Sequence, residues 1–352
     1  MIVVSHSLPR YGSQNNIGYL DFYIATFDVN ALCGYLGFFF GQIGNAFFVV
    51  CSSWFLVDRK KPANIKKVLH LLTDNFYISI LWLLITVLVF RYISLGDICK
   101  SFFPVTFNNN WFVGCYAIFY LLHIPVNTWL KDLKQNELLN LVVILSIVYL
   151  ALITLLGPKY YYTDLIGFYV IYLIVKYIKE YSVNLIKGNI AIKVHLISWL
   201  ILLMGIAVWS WICTIIPVLN NQVLRFCVFY NPVIVILALS AVISFSRIRS
   251  NKLMAMSKFA NVSLFVYIID ENFLANKYFK PVLWDYIYLH YGYQLLPIYI
   301  LIFSAVSWII ASMLGLFFKK CISPKLYIII DKVAIISVRK YARMIENLKN
   351  KI

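Results

Sequence analysis

Val194–Leu224 reads VHLISWLILLMGIAVWSWICTIIPVLNNQVL, a run without a single Asp, Glu, Lys or Arg. A helix needs about 20 apolar residues to cross the roughly 30 Å of hydrocarbon in a bilayer. A surface helix of a soluble protein would keep a polar face for water, and this run has none. Similar charge-free runs lie on either side of it: Ala31–Val57, Trp111–Leu130, Leu138–Pro158, Phe226–Ser246 and Tyr286–Phe318. Phe76–Leu95 is broken only by Arg91, and Leu165–Tyr181 carries Lys176 and Lys179 near its end. Phe259–Tyr278 is weaker, because Asp270 and Glu271 fall inside it, and Met1–Leu8 is apolar but too short to cross alone. The expected fold is all-α: a polytopic membrane protein of about ten transmembrane helices, the first of them short or truncated.

Composition agrees. The 352 residues are 62% hydrophobic and 13% charged, with a mean hydropathy of +0.82. Ordinary globular domains are about 45–50% apolar and about 25% charged. A soluble domain of this composition would have to bury nearly every residue, which surface-to-volume scaling forbids. Loop charge gives an orientation. With a cytoplasmic N-terminus, 24 of the 31 Lys and Arg fall on inner loops and the tail, and 7 fall outside. That is the asymmetry the positive-inside rule demands. The net charge of +17 then needs no nucleic-acid partner, because the basic residues face anionic lipid heads. Both termini are expected in the cytoplasm.

The chain divides into a membrane-embedded part, 1–318, and a basic tail, 319–352. From Pro324 to Ile352 the tail interleaves Leu326, Ile329, Val333, Ile336 and Ile345 with Lys332, Arg339, Lys340 and Arg343. This pattern suits an amphipathic helix lying on the inner leaflet; a partner-binding helix is the other reading. Met1 is followed directly by Ile-Val-Val, without the basic n-region of a signal peptide. The seven cysteines are scattered and form no CxxC pair, so neither a disulfide framework nor a metal site is expected.

Polar groups inside apolar segments are expensive, at about 2.5–3.5 kcal/mol per charge on insertion scales, and they mark functional sites. Here they are His6, His123, and the trio Asp270, Glu271 and Asn272. His195 and His290 lie near span ends and read as interfacial. His6 is either a satisfied structural histidine or a working one. Asp270 and Glu271 either sit in water at an outer mouth or belong to a site. No GxSxG, HExxH, Walker-type or GxGxxG motif occurs.

Four local strings then fall in a familiar order. The second span carries Phe48-Val-Val-Cys-Ser52-Ser53-Trp54-Phe55-Leu56 before a basic loop. The fourth has Trp111-Phe112, Tyr116, Tyr120, Pro125 and Asn127; the eighth opens Tyr230-Asn231-Pro232; the ninth reads Phe265-Val-Tyr267-Ile-Ile-Asp270-Glu271-Asn272. Together they resemble the acyltransferase 3 family of membrane acyltransferases, in the branch that O-acetylates bacterial surface polysaccharides. Three departures stand out. The family's first helix carries an Arg upstream of its His, and nothing before His6 supplies it, so either the start lies upstream or the first helix is cut and the protein impaired. The ninth-span His of the family is Asp270 here, and the small Gly of the second span is Ser53.

The resemblance implies a multi-pass protein of the bacterial plasma membrane. It would pass an acetyl group from cytoplasmic acetyl-CoA, with no tightly bound cofactor, to a hydroxyl of an envelope or exopolysaccharide glycan. By position His6 would be the base, with Asp270 or Glu271 orienting it or holding the sugar. Arg59, Lys60, Lys61, Lys66 and Lys67 would meet the CoA phosphates, or serve only as topogenic charge. Trp111, Tyr116, Tyr120, Asn127 and Asn231 would line the sugar site, or serve only in helix packing. A flippase for a lipid-linked sugar and an inactive, truncated relative are the competing readings.

Overall fold

The computed structural model describes residues 1–8, 29–61, 63–107, 109–157, 163–182, 184, 189–216, 219, 226–246, 262–292 and 295–332. The helices described for these residues are α1 (Ile2–His6), α2 (Val29–Leu56), α3 (Ile65–Phe90), α4 (Leu95–Phe102), α5 (Trp111–Leu130) and α6 (Gln135–Leu156). They continue as α7 (Asp164–Tyr181), α8 (Ile190–Ile215), α9 (Pro232–Ser246), α10 (Ser263–Asp270), α11 (Lys280–Tyr291) and α12 (Leu296–Lys332). No strand occurs among the described residues.

Six of them, α2, α3, α5, α6, α8 and α12, are long and apolar enough to cross a membrane. The charge-free runs therefore mark helices well, and six of the ten expected spans are supported by length among the described residues. At about 1.5 Å per residue, the 8 residues of α10 are too short for a full crossing, and 15 residues of α9 are described. Phe259–Tyr278, expected as one helix, is broken after Asp270 and resumes as a π-helical turn over Ala275–Phe279. Tyr286–Phe318 is also two pieces, parted near Gly292, whose φ of +66° glycine adopts at no steric cost. The start of the expected tail is no separate helix: α12 runs on to Lys332 without a break at 318. Val333, Ile336, Arg339, Lys340, Arg343 and Ile345 lie outside the described residues.

The centre of the bundle is α2, which packs against α1, α7, α8, α9 and α12. Its Ile43, Ala46, Val49 and Val50 are fully buried. The short α9 is apolar and buried on nearly all sides, as expected for a helix without a polar stripe. By contrast α8 and α12 turn exposed stripes outward, among them Leu196, Leu200, Met204, Leu301, Ile309 and Met313. An exposed apolar belt of that length suits lipid as its solvent.

Two close approaches fix the part of the fold that carries polar groups. The short α1 lies against α2, α10 and α12, and a side chain at Gly44 of α2 would collide with Ile2. On α12, a Cβ at Gly315 would lie 2.9 Å from the Cβ of Phe265 on α10. Neither atom can swing away. Gly315→Val is therefore expected to destabilise the detergent-solubilised protein by about 1–3 kcal/mol, read as a lower melting temperature; an unchanged melt would refute the contact. At the basic end, a polar ladder joins α3 to the end of α12. Lys66 and His70 meet Asp331 at 3.2 and 3.1 Å, His70 stacks on Tyr327, and Asp74 accepts from Ser323 and Tyr327.

Candidate functional site

The break after Asp270 is chemically complete, which is why it persists. A helix end leaves carbonyls without partners, and three of them are answered here. The Glu271 N–H donates to the Tyr267 carbonyl, Trp82 Nε1 donates to the Ile269 carbonyl at 3.1 Å, and Lys280 Nζ donates to the Asp270 carbonyl at 3.0 Å. Asn272 Oδ1 accepts from the Leu274 N–H and so starts the next helical turn. Asn276 Nδ2 donates to the Glu271 carbonyl from the π-helical turn, the kind of irregularity that recurs at functional sites.

Into this break the end of α1 presents His6, 5% exposed. Its Nδ1 lies 2.9 Å from Asp270 Oδ2, and its Nε2 lies 2.5 Å from Glu271 Oε2. Lys280 Nζ donates to the His6 carbonyl at 2.8 Å and sits 3.4 Å from Asp270 Oδ1. The imidazole is thus gripped at both nitrogens by carboxylates, with an ammonium behind one of them. Asp270 and Lys280 are both buried, and the Glu271 side chain is 18% exposed. Asp270 and Glu271 are accordingly not at a wet mouth. Although His6 and Asp270 are 264 residues apart in the chain, they form one cluster with Glu271. Sequence reasoning misses Lys280: it is one more loop charge after a span, and no motif sets it apart.

Such a cluster can take up and release a proton. Asp270 faces Nδ1 and Glu271 faces Nε2, so each ring nitrogen has a carboxylate with which to share a proton.

Beyond the cluster, Asp97 of α4 is held by Lys277 Nζ at 2.6 Å and Tyr278 Oη at 2.7 Å. Its N–H is capped by Ser94 Oγ at 3.1 Å. Burial alone raises the Asp97 carboxyl, but the bonds from Lys277, Tyr278 and Ser94 together hold it below the usual carboxylate value. A lowered carboxyl stabilises the fold above its unfolded pKa of about 3.9 and ceases to do so as pH falls through the folded value. Asp97→Asn is expected to melt lower than the parent protein at pH 7, with the two curves meeting below about pH 4. A constant gap down to pH 3 would show that the charge is not what holds α4.

A second cavity, of about 390 Å³, opens at the basic end between α2, α3 and α5. It is lined by Ser52, Arg59, Lys67, Tyr116 and Tyr120 among others. The Arg59 guanidinium lies 5.6 Å over the Tyr120 ring, and Tyr120 Oη accepts from the Asn64 N–H. Of the five basic residues expected together, Arg59 and Lys67 reach this cavity. Lys60 and Lys61 are exposed outside it, and Lys66 is held by Asp331. Tyr116 and Tyr120, expected with the sugar, line this same cavity. Trp111 stacks on Phe229 at 5.7 Å. Asn127 donates to the Leu56 carbonyl and accepts from Tyr172, while Asn231 donates to the Phe226 carbonyl and caps α9 through the Val233 N–H. The Asn127 amide thus ties α5 to α2 and α7, and the Asn231 amide shapes the start of its own helix.

A continuous row of rings joins the two places. Tyr267 lies 6.1 Å from His6, Phe112 5.5 Å from Tyr267, Phe48 5.0 Å from Phe112, and Tyr116 5.3 Å from Phe48. The buried imidazole and the basic cavity are therefore the two ends of one aromatic path.

The chain matches no family model. No curated protein and no solved structure matches it either. The geometry alone carries any assignment of function. The remaining histidines fill helix-bonding roles: His123 Nδ1 bonds the Tyr120 carbonyl, His195 bridges α8 to Leu237 and Ser240 of α9, and His290 bonds the Tyr286 carbonyl.

Proposed function

We propose that the protein is a membrane O-acetyltransferase that moves an acetyl group from acetyl-CoA to a hydroxyl of an envelope or lipid-linked glycan. The observation that carries this reading is the buried His6 imidazole held between Asp270 and Glu271. Glu271 leaves Nε2 with the proton the two share, and the alcohol that takes its place gives that nitrogen its own proton. Its oxygen attacks the thioester carbonyl, the carbon–sulfur bond breaks, and the departing thiolate takes the proton back to leave free CoA and an ester. Asp270 holds the imidazole in the tautomer this requires and stabilises the imidazolium between the two transfers.

The basic cavity supports the donor half of the reading. Its Arg59 and Lys67 suit phosphate, and its aromatic wall leads toward His6. In this reading the basic end faces the cytoplasm of a bacterial plasma membrane, with both termini on that side and about ten full or partial crossings. Envelope glycan is the acceptor beyond.

The test is acetyl transfer in proteoliposomes, with labelled acetyl-CoA and the producing cell's envelope glycans, read as alkali-labile label on glycan. Absence of any donor-dependent ester would overturn the reading. Arg59→Ala is expected to raise the KM for acetyl-CoA about tenfold, the value of one charge-assisted bond, and Arg59→Lys less. An unchanged KM would remove that cavity from the donor's path.

One observation favours a second reading, transport of a lipid-linked sugar. Broken helices at a buried charged site are a mark of transporters, and α10 is such a helix. Glycan translocation by the purified protein without an acyl donor would decide for it.

A further inference from the structure

A third cavity, of about 230 Å³, lies behind the His6 cluster, between α3, the broken α10–α11 segment and α12. Its walls include Trp82, Phe279, Phe303, Ser307 and Leu314, and the charged groups lining it are Asp270 and Lys280. Phe303–Leu314 lies within the apolar stretch Leu296–Phe317 of a helix long enough to cross a membrane, which suits a cavity at hydrocarbon depth. Its rim residues Leu283, Ile310 and Leu314 are exposed, at 37%, 53% and 39%. The cavity therefore opens sideways, toward lipid, and ends at a carboxylate.

We infer that this cavity binds a single-chain lipid alcohol from the bilayer, its chain along α12 and its hydroxyl donating to Asp270 Oδ1. Three observations commit it to that occupant. At this depth the molecules available are lipids, because soluble ligands do not partition there. The walls are apolar and suit a hydrocarbon chain. The floor is an acceptor with capacity to spare: Asp270 Oδ2 takes the His6 contact at 2.9 Å, while Oδ1 is met only distantly by Lys280, at 3.4 Å. A carboxylate oxygen accepts more than one donor, so a hydroxyl fits beside the ammonium. A chain without a donor would leave that oxygen facing hydrocarbon, which is costly. The floor thus selects alcohols over alkanes. Binding here touches the partner of His6 Nδ1 and does not need the transfer reaction, whatever chemistry Nε2 performs.

The experiment uses the whole protein in phosphatidylcholine vesicles with a trace of a long-chain alcohol bearing a diazirine on its chain. After irradiation, labelled peptides are mapped by mass spectrometry. Label is expected to concentrate on 303–314 and near Leu283. An excess of dodecanol is expected to remove it and an excess of dodecane to leave it. Ser307→Trp, which fills the cavity, is expected to abolish the label, and Ile309→Trp on the outward face to spare it. Label spread evenly over all outward faces, α8 included, and untouched by dodecanol would mean annular lipid only and overturn the proposal. Equal competition by dodecane would overturn the role of Asp270. The competition arm uses the unmodified protein, so the proposal stands or falls there even where a variant folds poorly.

Discussion

His6→Ala is expected to lower glycan ester formation by about 10²–10⁴-fold while leaving the protein in the membrane. The size follows from the role. A general base removes the alcohol proton as the new bond forms; Asp270 is engaged with Lys280, and Glu271, the carboxylate left beside the vacated position, belongs to a weaker class of base than an imidazole. The fold should tolerate the change, since α1 is anchored by Ile2 against Gly44 and by Leu8 against Gly37 rather than by the imidazole. His6→Gln is the sharper control. It keeps a polar group between the carboxylates and removes the basic nitrogen, so it should melt near the parent protein and still fail to transfer. Ester formation in His6→Gln at the parent rate would end the base assignment even if acetyl-CoA proves to be the donor. A transporter reading predicts the same loss in glycan movement instead.

Helices are more legible in this sequence than crossings are. Absence of charge is a direct reading of lipid or core, so the run Trp111–Leu130 coincides with α5 and Val194–Leu224 falls within a few positions of the start of α8. The same absence cannot tell a spanning helix from a buried short one. Phe226–Ser246 is as apolar as α8, yet α9 begins only at Pro232, because Asn231 caps it there. The break after Asp270 is invisible in the sequence, because its signal is a set of donors from outside the helix: Trp82 far along the chain, and Lys280 and Asn276 after the break. His6, Asp270 and Glu271 stand out because charge in apolar sequence is rare. Asn127 and Asn231 stand out only by the family resemblance, and their amides bond helix backbone. Lys280 is hidden by its type. A lysine after an apolar run reads as a topogenic charge, and only the fold turns it inward.

Lys280→Met is expected to cost about 3–5 kcal/mol, the loss incurred when one partner of a buried ion pair is removed, and to abolish transfer as well. Three groups lose their donor at once: the Asp270 carboxylate, the Asp270 carbonyl at the end of α10 and the His6 carbonyl at the end of α1. The carboxylate is the worst of these, because it is buried and its charge is no longer balanced. If that is the cause, Asp270→Asn placed on top of Lys280→Met should restore much of the melting temperature, since a neutral amide needs no ammonium. Activity should not return, because an amide facing Nδ1 neither fixes the tautomer nor steadies the imidazolium. Lys280→Arg should fall between, keeping the charge but straining a site built around a compact ammonium. Detergent melts and ester assays on the same four proteins separate the two effects. Should the double variant melt no higher than Lys280→Met, the backbone carbonyls rather than the ion pair hold the break together. Lys280 would then be a helix-end cap that happens to lie beside an acid.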